Sequence, residues 1–107
     1  MNPTTAVRFS ALVLAKEKPM NTQDFRDLAE KDGYTVRREV SGDAGSQSAI
    51  HAHDFDAKML VLSGDITYSI DGSNRTYCVG EILEVAAGTM HSEKVGESGV
   101  LLLAASR

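Results

Sequence analysis

The spacing of apolar and polar residues along this chain changes character once, at Gly33. Before it, Phe25, Leu28 and Ala29 fall at i, i+3 and i+4, the spacing of one helical face. Asn21 and Thr22 can each cap the start after Pro19, Asp24 favours the first turn, and Gly33 suits the left-handed residue beyond the end. A short helix is predicted there, preceded by a strand over the apolar run Ala6 to Ala15.

After Gly33 the helical period disappears. Turn signals recur at Gly42-Asp43, Gly64-Asp65, Asp71-Gly72, Gly80-Glu81, Ala87-Gly88 and Gly96, with Gly99 close behind, and the segments between them have strand lengths. The strictest alternation, Ile66-Thr67-Tyr68-Ser69-Ile70, leads through Asp71-Gly72 into Arg75-Thr76-Tyr77-Cys78-Val79, which predicts a hairpin. About eight strands are predicted: Tyr34–Val40, Ser48–His53, Lys58–Ser63, Ile66–Ile70, Arg75–Val79, Ile82–Val85, His91–Val95 and Val100–Ala104. No helical pattern separates them, so parallel crossovers are excluded. The fold class is all-β, antiparallel, with one short N-terminal helix, and periodicity leaves sandwich, barrel and jelly roll open.

Composition narrows the function classes. The 107 residues are 42% hydrophobic and 24% charged, which fits one folded domain rather than a disordered or low-complexity chain. A net charge of -4 offers no general attraction to nucleic acid or to an anionic membrane surface. The single Cys78 has no internal disulfide partner, so a reducing, cytoplasmic location is expected. Phe9 to Ala15 is too short to span a membrane. Although Arg8 precedes it, the Lys16-Glu17-Lys18 that follows makes a poor cleavage region, so no signal peptide is expected.

The chemistry concentrates on three histidines, His51, His53 and His91. Taken singly, each is as readily a surface or satisfied core residue. His51 and His53 stand at i and i+2 on a predicted strand, so both imidazoles share one face, roughly 7 Å apart along it. They can converge on one ion through bonds of about 2.1 Å if a neighbouring strand, such as the one beginning at His91, brings a third ligand. Cys78 is expected to be a small buried hydrophobe, and Tyr68 and Tyr77 to pack across the hairpin rather than face a cavity. Arg26 to Asp32 reads as the wet face of the helix. Phosphate-loop, dinucleotide-turn and nucleophile-elbow patterns are missing from the sequence.

These residues carry a family resemblance. Gly45, five residues, His51-Ala52-His53, a short turn and the run Lys58-Met59-Leu60-Val61-Leu62-Ser63-Gly64 resemble the first cupin motif. Beyond a spacer of fifteen residues, Gly80, five residues, Ala86-Ala87-Gly88, two residues and His91 resemble the second. The resemblance spans residues 45 to 95 and places every histidine of the chain at a motif position. It implies a small antiparallel jelly-roll β-barrel of the RmlC-like, conserved-barrel type, formed by residues 34–107 behind an N-terminal strand and helix in 1–33. It also implies a metal held by His51, His53 and His91, and a homodimer. The hydrophobic segment Ala6 to Ala15 is the expected dimer contact.

The chain departs from the motifs in ways that bear on chemistry. Ala57 stands where the first motif usually carries a metal-binding Glu, Ala86 replaces the usual Pro and Val95 the terminal Asn. Asp56 and Glu93 are the candidate replacements for the missing acid. Glu93 is preferred because it lies two residues after His91 and should share its inward face. It would act as a fourth ligand or as a general acid/base, against the alternative of a solvated charge beside Lys94. Three neutral imidazoles accept Zn, Ni, Cu or Fe, and adding a carboxylate favours Fe or Mn. The expected function is that of a small metalloenzyme of dioxygenase, isomerase or lyase type acting on a small organic molecule. The alternatives are a non-catalytic ligand-binding or sensing module and a closed structural metal site.

Overall fold

In a computed structural model, residues 20–107 are described. The segment Ala6 to Ala15, with its expected strand and dimer contact, lies outside them. The helix α1 (Thr22–Lys31) forms as its caps dictate: the Asn21 side chain accepts from the Asp24 N–H at 2.8 Å, and Gly33 takes φ +82°, the left-handed conformation in which a side chain is costly. Phe25 and Ala29 are fully buried, whereas Leu28, the third residue of the apolar face, is 44% exposed.

Five strands follow: β1 (Thr35–Gly42), β2 (Ala57–Ile70), β3 (Ser73–Cys78), β4 (Ile82–Val85) and β5 (Ser92–Ser106). All pairings are antiparallel. β5 lies between β1 and β2, while the other side of β2 is shared, its first half pairing with β4 and its second with β3. The hairpin through Asp71-Gly72 forms as expected, with Ile66 opposite Tyr77 and Ile70 opposite Ser73.

Five strands replace the eight expected because two pairs merge and one strand does not form. Lys58–Ser63 and Ile66–Ile70 are parts of β2, and His91–Val95 and Val100–Ala104 are joined within β5, whose assigned span begins at Ser92. Gly64 and Gly99, which read as turns, are irregularities inside continuous strands, with φ of +73° and +77°. They change the phase of the pleat. In β2 the inner positions run Met59, Val61, then Ile66, Tyr68; in β5 they run Val95, then Val100, Leu102. The close approach at this bend requires glycine, since a Cβ on Gly64 would stand 1.8 Å from the Gly99 carbonyl oxygen. Ser48–His53 is not a strand but an extended segment tied to the start of β5 by single bridges, Gln47 to Lys94 and His51 to His91.

The sheet buries both faces over much of β2. On the inner face Val61, Ile66, Tyr68, Leu83, Val85, Val95, Val100 and Leu102 form one core. On the outer face Phe25 and Ala29 of the helix pack on Tyr34, Leu60, Leu103 and Ala105. Lys58 shares that outer face and is 6% exposed. Its ammonium pairs with Asp32 at 3.0 Å and Glu84 at 3.6 Å, which offsets the cost of burying it. Asp32, the C-cap of the helix, is exposed as expected of the wet face, yet its carboxylate reaches Lys58, which holds its carboxyl below the usual range. Cys78 corrects another expectation: it is exposed, because it ends the outermost strand β3, where no layer covers it. Among the described residues no helix is long and apolar enough to cross a membrane.

Candidate metal centre

Local pairing brings the histidines together. His51 and His91 are directly opposed and exchange both backbone hydrogen bonds, His51 N–H to the His91 carbonyl at 2.8 Å and the reverse at 2.9 Å. Directly opposed residues point their side chains to the same face. His53 and Glu93 are each two residues further along their own segments, so they fall on that face as well. The His53 carbonyl accepts from Gly88 N–H at 2.8 Å, anchoring the end of the segment. As a result the ligand atoms of His51, His53 and His91 all lie within 4.8 Å of one another.

The imidazoles differ in environment. His91 is 2% exposed, stacked at 5.4 Å on the Tyr68 ring. His51 is half-buried and His53 is exposed, its ring stacked at 5.0 Å on Phe55. Nδ1 of His51 lies 2.7 Å from the Ala49 carbonyl and Nδ1 of His91 lies 2.9 Å from the Thr89 carbonyl. A carbonyl only accepts, so both Nδ1 atoms carry the proton and, in the neutral rings, both Nε2 lone pairs are free. Such bonds from the distal nitrogen are how proteins orient metal-binding histidines. The donor set therefore fits a divalent transition metal ion, with the exposed His53 the ring freest to adjust.

The Glu93 carboxylate is at the same point. Its Oε2 lies 3.5 Å from His91 Nε2 and 3.8 Å from His51 Nε2, and its side chain is 28% exposed. Its N–H donates to Ser48 Oγ at 3.0 Å. Asp56, the other acidic candidate, is used elsewhere. It accepts from Ala87 N–H at 2.8 Å and from Arg107 Nε at 3.0 Å, and these bonds hold its carboxyl below the usual range. Tyr68 combines the two roles weighed for it. It packs edge-on at 6.3 Å against Tyr77, and it also lines the cavity beside the histidines. Burial, then the charge and hydrogen bonding of Glu93, push its phenol far above the usual tyrosine range, so it stays a neutral hydrogen-bond donor.

That cavity measures about 320 Å3, and its lining includes His53, His91, Glu93 and Tyr68 together with Arg37 and Arg38 of β1. Ala57, at the motif position of the missing Glu, lines it too. The arginines carry no motif signal. The hint in the sequence is two adjacent cations inside a strand, Val36-Arg37-Arg38-Glu39-Val40, where strict alternation would place only one of them inward.

No family model and no curated protein matches the sequence. Solved structures do match in fold. A cupin-2 domain-containing protein from Shewanella frigidimarina superposes with a TM-score of 0.57 at 20% identity, covering 80% of this chain and 91% of that one. KdgF from Halomonas sp. gives 0.58 at 20% identity over 68% of this chain and 74% of its own. The DMSP lyase DddQ from Ruegeria pomeroyi gives 0.59 at 20% identity over 64% of this chain, which spans 36% of the lyase. Against further cupin structures the matched part covers 51% and 73% of the other chain. The chain has the cupin fold, an antiparallel jelly-roll β-barrel, with one short helix ahead of it among the described residues.

Proposed function

We propose that this protein is a metal-dependent enzyme acting on a small organic molecule, with His51, His53 and His91 as metal ligands and Glu93 as the proton-transferring group. One observation carries the reading: two of the three clustered imidazoles are locked by backbone carbonyls with Nε2 directed away from those bonds. A bound divalent ion of the Fe, Mn, Ni, Cu or Zn class would supply Lewis acidity toward a substrate oxygen. The chain supplies the rest. Apolar side chains make up much of the cavity lining, Tyr68 offers a neutral hydroxyl in it, and Glu93 holds or accepts a proton within 4 Å of two ligand nitrogens. Because His53, His91 and Glu93 all line an enterable cavity, the arrangement favours an open site over a closed structural one. One structural neighbour is a lyase by name, in line with isomerase, lyase or dioxygenase chemistry.

The test is a turnover screen of the metal-loaded protein beside its Glu93→Gln variant. The expected result is metal content unchanged and turnover reduced by about a hundredfold or more in the variant. Ligand-dependent stabilisation with no turnover by the wild type would instead identify a binding module.

A further inference from the structure

We infer that the cavity selects a small organic carboxylate, its acid group paired with Arg38 and its apolar body lying between that arginine and the histidines. The inference rests on the metal-enzyme reading, for which it names the substrate class, but its physical basis is separate. Arg38 stands opposite Ala104 on β5, and Ala104 stands opposite Met59 on β2, so the three form one row across the inner face. The register of β1 slips between Val36 and Arg38. Without that slip Val36, Arg38 and Val40 would share a face. With it, Val36 joins the outer core under the helix while Arg38 and Val40 line the cavity. A strand irregularity that re-aims one side chain into a cavity is a feature found beside binding sites.

The charge arrangement sorts the ligand. Among the described residues the only fully charged side chains lining the cavity are Arg37, Arg38 and Glu93, two cations against one anion in a chain of net charge -4. Arg37 Nε already donates to Ser106 Oγ at 3.0 Å. Neither arginine belongs to an ion pair among the described residues. Val40, Met59, Val85 and Leu102 are apolar members of the same lining. A guanidinium fork matches a carboxylate in plane and charge, whereas in the metal-free protein the histidine end offers neutral imidazoles and the anionic Glu93. In the metal-free protein the acid group therefore goes to Arg38, which leaves the rest of the molecule to extend toward the histidines.

The experiment titrates hexanoate, phenylacetate and lactate, each against its own amide, into metal-free and metal-loaded protein, with affinities read by calorimetry or NMR. At least one carboxylate is expected to bind about tenfold or more tightly than its amide. Arg38→Gln is expected to remove that preference and Arg38→Lys to keep part of it, both with metal content as in the wild type; Arg37→Gln is expected to weaken it less than Arg38→Gln. In the metal-free protein, where no cation competes for the acid group, equal binding of acid and amide, no binding by any of the carboxylates, or a preference that survives Arg38→Gln would each overturn the inference. The two readings fail separately. A protein that takes up no metal yet keeps an Arg38-dependent preference for carboxylates would refute only the metal centre. A protein that binds metal without that preference would refute only the carboxylate site.

Discussion

His51 and His91 are joined by reciprocal backbone hydrogen bonds of 2.8 and 2.9 Å, and their rings stand 4.4 Å apart on the same side of that bridge. One bridge thus fixes the relative height and direction of two potential ligands, and the i, i+2 rule then delivers His53 and Glu93 to the same place. The cluster is set by backbone pairing, because the bridge from His51 to His91 ties the segment between β1 and β2 to the start of β5.

Tyr68 supports that geometry from below. Its ring lies nearly parallel to His91, at 15° and 5.4 Å, and packing of this kind holds a ligand's ring orientation. Tyr68→Phe keeps the ring and is expected to retain metal. Tyr68→Ala should weaken metal affinity about tenfold to a hundredfold and cost about 3 kcal/mol or more in stability. Chelator competition and urea unfolding of the two variants measure both effects, and equal affinities would show that the stacking does not matter.

The bend at Gly64 is the least tolerant backbone position identified. An added methyl group meets the Gly99 carbonyl at 1.8 Å, and Gly64 also has φ +73°. Gly72 in the hairpin turn has φ +79° with nothing within 4 Å. Gly64→Ala should therefore lower stability by about 3 kcal/mol or more, and Gly72→Ala by about 1 kcal/mol. Denaturant midpoints compare them directly, and similar losses would mean that left-handed backbone, not the contact with Gly99, sets the cost.

Acid sensitivity follows from Asp56 and Asp32. Both carboxyls are held below the usual value of 3.8, Asp56 by the Ala87 N–H and Arg107, Asp32 by Lys58. Near pH 3.8 the unfolded chain binds more protons than the folded one, so stability rises with pH there. The contribution is present above the unfolded pKa and lost as pH falls through the folded values. Asp56→Asn, which retains an acceptor for Ala87, should flatten the acid-unfolding curve below about pH 4, and a curve as steep as the wild type's would contradict this.

Much of the architecture and the three histidines were legible because they depend on local signals: the period change at Gly33, the Asp71-Gly72 hairpin and the His-x-His spacing. Strand merging was not, because a glycine with positive φ looks the same in sequence whether it closes a turn or kinks a strand. What distinguishes them at Gly64 is its partner Val100, thirty-six residues away. Arg38 was illegible for the same reason. Its inward direction depends on a register slip against Ala104 and Ala105, which no alternation within β1 encodes. Exposure of Cys78 likewise depends on β3 being the outermost strand of the sheet.

The central claim is tested most directly by elemental analysis of the protein purified without chelators, beside His91→Ala and His51→Ala. The account predicts about one first-row transition metal per chain in the wild type, lost in both variants while the fold remains. No metal after reconstitution with Fe, Mn, Ni, Cu and Zn, or a full complement retained in both variants, would contradict it.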